Sequence, residues 1–211
     1  EYREKFPKIH DWILLEDYNC DGKNDIYTYS TAGIAIYKNT STNQLSFNLE
    51  TPLVMSNYGN NNLNLYVSPV DIPAITDIDY DGDLDILTFS ILGGFIEFHK
   101  NNSMELTGSC DTIAFELSES CWGLFYEGLN DYILNCPNCQ CPSISSDYSS
   151  KTKHAGSTLC AIDIDNDNDK EIILGDVSFS NLNLLSNGGN NQNALMISVD
   201  SIFPQNNNNT S

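Results

Sequence analysis

Three short stretches of the chain concentrate oxygen side chains at a spacing that suits a hard cation. They read Asp17-Tyr-Asn19-Cys-Asp21-Gly22-Lys-Asn-Asp25, Asp77-Ile-Asp79-Tyr-Asp81-Gly82-Asp-Leu-Asp85 and Asp163-Ile-Asp165-Asn-Asp167-Asn168-Asp-Lys-Glu171. Counted from the first acid, each places oxygen-bearing side chains at positions 1, 3, 5 and 9. Position 6 is Gly22, Gly82 and Asn168, residue types that tolerate the positive φ of a sharp turn. A Ca²⁺ ion takes about six to eight oxygen ligands, and alternate residues of a tight turn can all point inward. Carboxylates packed this closely repel one another when no cation is present. The pattern predicts about three bound Ca²⁺ ions. Asp83 and Asp169 fall outside the 1, 3, 5, 9 set and are expected to face solvent or to make a supporting contact behind the ligands.

The elements that must carry these loops are strands. An EF-hand opens with the same D-x-[DN]-x-[DN]-G run, but it closes on a bidentate acid at position 12 and lies between two helices. Here position 12 is Thr28, Thr88 and Leu174. The loops are followed by Ile26-Tyr-Thr-Tyr29, Ile86-Leu-Thr-Phe89 and Ile172-Ile-Leu174, β-branched and aromatic runs typical of strands. Apolar runs also precede them: Trp12-Ile-Leu-Leu15, Ala74-Ile75 and Leu159-Cys-Ala-Ile162. The unit is strand, loop, strand, with the position-9 acid closing the site from the start of the second strand. Each unit continues with another strand ending in an Asn-rich turn: Gly33-Ile-Ala-Ile-Tyr-Lys-Asn39, Gly94-Phe-Ile-Glu-Phe-His-Lys-Asn101 and Ser180-Asn-Leu-Asn-Leu-Leu-Ser-Asn187. In the first unit, Leu45-Ser-Phe-Asn-Leu49 reads as an outer fourth strand. Four strands per unit is the plan of a β-propeller blade.

The loops begin 60 and 86 residues apart, against roughly 40–50 residues for a four-stranded blade. The larger surplus falls at 110–148, where the apolar pattern breaks up and cysteines crowd, and reads as a cysteine-rich insertion. The repeat units span 11–50, 71–105 and 157–190.

These loops with their flanking strands resemble FG-GAP/VCBS-type repeats, the blades of the integrin-α-like seven-bladed propeller. Cys121-Trp-Gly, the stretch Ile173 to Leu184 and Met196-Ile-Ser-Val-Asp-Ser-Ile-Phe-Pro204 are also similar to secreted bacterial VCBS-repeat proteins. Such proteins often carry a type IX secretion sorting domain, which is absent from these residues. The resemblance covers most of 11–204. It implies an all-β partial propeller of about three to four blades, with one Ca²⁺ per loop held by side chains at positions 1, 3, 5 and 9 and a backbone carbonyl at 7. The ligands it implies are Asp17, Asn19, Asp21 and Asp25; Asp77, Asp79, Asp81 and Asp85; and Asp163, Asp165, Asp167 and Glu171. The third loop departs from the pattern at Asn168 and Glu171. Three loops fall short of a closed ring of four to eight blades, so the remaining blades of a longer parent chain are expected partners.

Acidic residues outnumber basic ones 29 to 9, a net charge of −20. Three Ca²⁺ ions would bring it to about −14. With so few Lys and Arg and no basic run, nucleic-acid binding is not expected. No apolar run is long enough to span a bilayer. Abundant Asn, Ser, Tyr and Thr suit a β-rich extracellular protein, secreted or at a cell surface, where millimolar calcium would fill weak sites. Of seven cysteines, Cys110, Cys121, Cys136, Cys139 and Cys141 lie in the insertion. Disulfides would staple that segment. The Cys136-Pro-Asn-Cys139-Gln-Cys141 run could instead hold zinc with Cys110 or Cys121. Cys160 reads as a small buried apolar residue, and Cys20 as pointing away from the ion.

No catalytic motif stands out. His10, His99 and His154 sit in unrelated contexts, and there is no G-x-S-x-G elbow or P-loop. Two readings follow. In the first, the chain is a non-catalytic, calcium-stiffened propeller module for adhesion or for binding a protein or polysaccharide ligand. The alternative is a scaffold or accessory part of a secreted polysaccharide-degrading hydrolase or lyase.

Overall fold

The computed structural model describes residues 2–91, 93–128, 131–135, 157–177 and 180–204. It is all-β, with several antiparallel sheets, none of them closed. In the first sheet, β1 (Ile13–Glu16), β2 (Asp25–Ser30), β3 (Gly33–Asn39) and β4 (Phe47–Thr51) run in order as an antiparallel meander. A hairpin, β5 (Met55–Asn57) and β6 (Asn62–Asn64), follows. Then come β7 (Ala74–Thr76), β8 (Asp85–Phe89), β9 (Ile96–Asn101), a short helix α1 (Ser103–Thr107) and β10 (Phe115–Glu119). Strands β7 to β10 form a second meander, and β5 adds to its β10 edge in parallel, which makes a six-stranded sheet. After a small ribbon of β11 (Tyr126–Glu127) and β12 (Tyr132–Ile133), a third meander is formed by β13 (Ser157–Ile162), β14 (Glu171–Asp176), β15 (Leu182–Asn187) and β16 (Met196–Phe203).

The second sheet is packed on both faces because alternate residues of its strands point to opposite sides. Ile75 and Ile86 join Trp12, just before β1, and Tyr27, Ile34 and Ile36 of the first sheet in one core cluster. Leu87, Phe89, Ile96 and Phe98 join Leu159, Ile172, Leu174 and Leu185 of the third sheet in another. Hence β8 is buried at every position. The outer two sheets are packed on one side. Leu14 packs inward while Ile13 and Leu15 are exposed, and at the other end Ile162, Ile197 and Ile202 are exposed.

The segment read as an insertion contributes directly to this architecture. Phe115–Glu119 is β10, a full member of the second sheet. Trp122 and Phe125 fill the cluster between the second and third sheets. Gly94 shows how closely the parts approach: a Cβ there would lie 2.3 Å from the Tyr126 ring and 2.8 Å from the Glu127 carbonyl oxygen. Cys136, Cys139 and Cys141, with the zinc alternative built on them, lie outside the described residues, as does His154. Cys160 is exposed rather than buried, because it falls on the face of β13 turned away from the second sheet.

Candidate metal centre

The three loops connect β1 to β2, β7 to β8 and β13 to β14, and their backbones match. Position 6 has positive φ in each (Gly22 81°, Gly82 103°, Asn168 71°), as the residue types predict. Position 4 does too: Cys20 56°, Tyr80 63° and Asn166 64°. Nothing in the types of Cys20 and Tyr80 announces this, since a left-handed conformation is unfavourable for both.

Side chains tie each turn in the same way. The position-1 carboxylate accepts from the N–H groups of positions 5 and 6. Asp17 takes Asp21 (3.2 Å) and Gly22 (2.7 Å), Asp77 takes Asp81 (3.1 Å) and Gly82 (3.2 Å), and Asp163 takes Asp167 and Asn168 (both 3.2 Å). The position-5 carboxylate accepts from the N–H of position 7: Asp21 from Lys23 (3.0 Å), Asp81 from Asp83 (3.2 Å) and Asp167 from Asp169 (3.1 Å).

The position-9 acid locks the loop to the sheet. It opens the second strand of its unit, paired with the last residue of the first (Glu16 with Asp25, Thr76 with Asp85, Ile162 with Glu171). One of its oxygens accepts from the position-2 N–H: Tyr18 to Asp25 (3.1 Å), Ile78 to Asp85 (2.9 Å) and Ile164 to Glu171 (3.0 Å). The other accepts from the Asn that ends the third strand: Asn39 (2.6 Å), Asn101 (2.9 Å) and Asn187 (3.4 Å). The longer Glu171 thus does the work of Asp in the third loop. The Asn side chains return part of the bond, Asn39 Nδ2 to the Asn24 carbonyl and Asn187 Nδ2 to the Lys170 carbonyl.

The ligand sets differ. Asp77, Asp79 and Asp85 bring carboxylate oxygens within 4.8 Å of one another, as do Asp163, Asp165 and Glu171. A third group of the same compactness, Asp81, Asp83 and Glu105, includes a helix residue that no loop spacing could reveal. In the first loop no three-acid group converges among the described residues. Asn19 stands at its position 3, and Asp21 turns an oxygen to Lys23 Nζ at 3.3 Å. Asp83 and Asp169 do not face solvent: each is 2 % exposed, and each keeps one buried carboxylate oxygen without a hydrogen-bond partner. Asp79 Oδ1 is buried and unpartnered as well. Orphaned anionic oxygens beside converging carboxylates fit a hard, oxygen-seeking cation.

Electrostatics sharpen the point. Burial, followed by neighbouring carboxylates, raises Asp83 and Asp169 to about 6. Burial raises Asp85 to about 8 despite its two backbone donors. Asp25 and Asp77 are raised by burial too. Asp163 goes the other way: against a burial contribution that raises it, the Tyr80 hydroxyl and the loop N–H groups hold it below its ordinary value. In the second loop an ammonium sits among the acids. Lys100 Nζ donates to Asp79 Oδ2, to Asp81 Oδ2 (2.9 Å) and to Glu105 Oε1 (2.6 Å).

Position 4 also ties each of the first two loops to another part of the chain. Cys20 is disulfide-bonded to Cys110, which follows α1. Tyr80 donates its hydroxyl to Asp163 Oδ2 (3.1 Å), and Lys170 Nζ lies 4.2 Å from the centre of its ring. Asn191 Nδ2 donates to the Asp79 carbonyl (2.9 Å).

One polar chain that sequence spacing does not reveal lies elsewhere in the second sheet. Ser56 Oγ is 2.8 Å from His99 Nδ1, and His99 Nε2 is 3.3 Å from Glu97 Oε2. Serine, histidine and acid in a row are the components of a hydrolytic triad. Here Ser56 and His99 have no exposed surface, and Tyr58 stacks edge-on against the imidazole. The chain of contacts ties β5 to β9 inside the protein. Comparison with protein-family models, with curated proteins and with solved structures finds no match.

Proposed function

We propose that the chain is a calcium-stabilised, non-catalytic propeller module of a secreted or cell-surface protein, acting in adhesion or ligand binding. The observation that carries this reading is the threefold recurrence of one loop scaffold, with buried, unpartnered carboxylate oxygens in the second and third loops. In this reading Asp77, Asp79 and Asp85 hold one ion, and Asp163, Asp165 and Glu171 another. Asp17, Asn19, Asp21 and Asp25 form a weaker third site. Calcium supplies folding energy by bringing together acids that otherwise repel. The Cys20–Cys110 bond suits an oxidising compartment, and no helix among the described residues is long and apolar enough to cross a membrane.

Sheet stacking supports the propeller form. In the first two units the position-2 side chain, Tyr18 or Ile78, is buried between its own sheet and the next. Ile164, the same position in the third, is exposed alongside Ile162, Ile197 and Ile202. That face is shaped to receive a further blade, which makes the remaining blades of a parent chain its partner. A calcium titration by isothermal calorimetry, paired with melting in EGTA, tests the reading. Saturable binding and a melt lowered by several degrees are expected. An unchanged melt with no binding heat at millimolar calcium would defeat it.

A further inference from the structure

We infer that Lys100 is a tethered counter-ion that competes with the divalent cation at the second loop, so that the third loop fills first. This rests on the calcium reading of the loops and adds an order of occupancy to it. The Lys100 ammonium lies where positions 3 and 5 of the second loop meet α1, bonded to Asp79, Asp81 and Glu105. Asp79 and Asp81 are among the oxygens an ion in that loop would draw on. A cation carrying two charges can take them only if the ammonium withdraws. The ammonium is part of the same chain, so it competes at an effective concentration of about millimolar, comparable to extracellular calcium.

The placement of Lys100 follows from strand alternation. It is the last-but-one residue of β9, so it points to the opposite face from His99, while the next residue, Asn101, gives its N–H to Asp85. The same slot in the first unit is Lys38. With the Asn19 amide turned to satisfy both neighbours, Lys38 Nζ donates to it at 2.7 Å, again at loop position 3. In the third unit the slot is Ser186, too short to reach the loop. Lys170, the base nearest in sequence, lies over the Tyr80 ring instead. The third loop holds five acids, Asp163, Asp165, Asp167, Asp169 and Glu171, and no salt bridge to them is formed among the described residues. Among the described residues, two loops therefore carry a built-in monovalent cation, and the third loop, with as many acids as the second, does not.

The test uses the 211-residue chain with its disulfides intact, stripped of metal and titrated with CaCl₂ against a chromophoric chelator. Terbium luminescence sensitised by Tyr80 serves as a second readout. Lys100→Met should raise the affinity of one weak site by about tenfold, the scale of one charge-assisted contact, and should lower the melting temperature in EGTA. Ser186→Lys should weaken the tightest site by a similar factor and stands as an independent arm if the first variant does not fold. Unchanged calcium affinities in both variants overturn the inference. If the wild type binds no calcium at all, the calcium reading fails by itself. Lys100 is then judged on the EGTA melt alone: a loss of stability in Lys100→Met keeps it as the counter-ion of the cluster, and an unchanged melt removes that role.

Discussion

In the second loop, Asp79 and Asp81 meet an ammonium and Ile78 is buried against the next sheet; in the third, Asp163, Asp165 and Glu171 converge without one among the described residues, and Ile164 is exposed. Both loops have the same two left-handed residues and the same carboxylate-to-N–H bonds. The residues within the nine positions thus set where the oxygens stand. The sheets around them set how those oxygens are neutralised. The slot one residue before the end of the third strand decides whether an ammonium is at hand: Lys100 reaches the second loop, and Ser186 is too short to reach the third.

Position 9 gives the sharpest way to break the comparison. Asp85→Ala strands the N–H groups of Ile78 and Asn101 in a buried setting, at about 1–3 kcal/mol for each unsatisfied group. Urea unfolding should therefore show a loss of roughly 2–6 kcal/mol. Glu171→Ala should cost clearly less, because the exposed Ile164 segment lets water reach the freed donor. Equal losses would mean that the end of the stack is as dry as its middle.

Calcium removal comes next in size. In EGTA the melt should fall by several degrees, with about 2–4 °C per kcal/mol for a chain of this length. Hydrogen exchange should place the loss in the amides of Asn166 to Asp169 more than in those of Tyr80 to Asp83. The reverse pattern would show that Lys100 does not substitute for the ion.

A third test lies at the boundary between the two sheets. Glu127 is buried near Ser157, and burial, then Asp176 and Asp71, raise it to about 8. A carboxyl raised in the folded state binds its proton more tightly there than in the unfolded chain. Its contribution is complete below about pH 4.5 and is lost as pH rises through about 8. With metal chelated, the melt should be higher near pH 5 than near pH 8.5, and Glu127→Gln should flatten that slope between the two. A slope unchanged in the variant would assign the pH dependence to the loop acids.

The smallest effect is expected from Tyr80→Phe, which removes the bond to Asp163 but keeps the ring under Lys170. A loss of about 1 kcal/mol, with weaker calcium binding at the third loop and little change at the second, would show that one loop's turn supports the next. A change confined to the second site would show that Tyr80 acts on its own loop alone.

Much of this was legible from residue order, because loop spacing and strand alternation are local. The acids at positions 1, 3, 5 and 9, positive φ at Gly22, Gly82 and Asn168, strands on either side and the all-β class all follow from neighbours a few residues apart. The Asn at the end of each third strand was visible as part of a turn, but its N–H bond to the position-9 acid spans the sheet. The burial of Asp83, the approach of Glu105 and Lys100, the Cys20–Cys110 bond and the Ser56–His99–Glu97 chain depend on which sheet faces meet. Those contacts join residues up to 90 positions apart. Their partners are chosen by packing, which no short window of sequence contains.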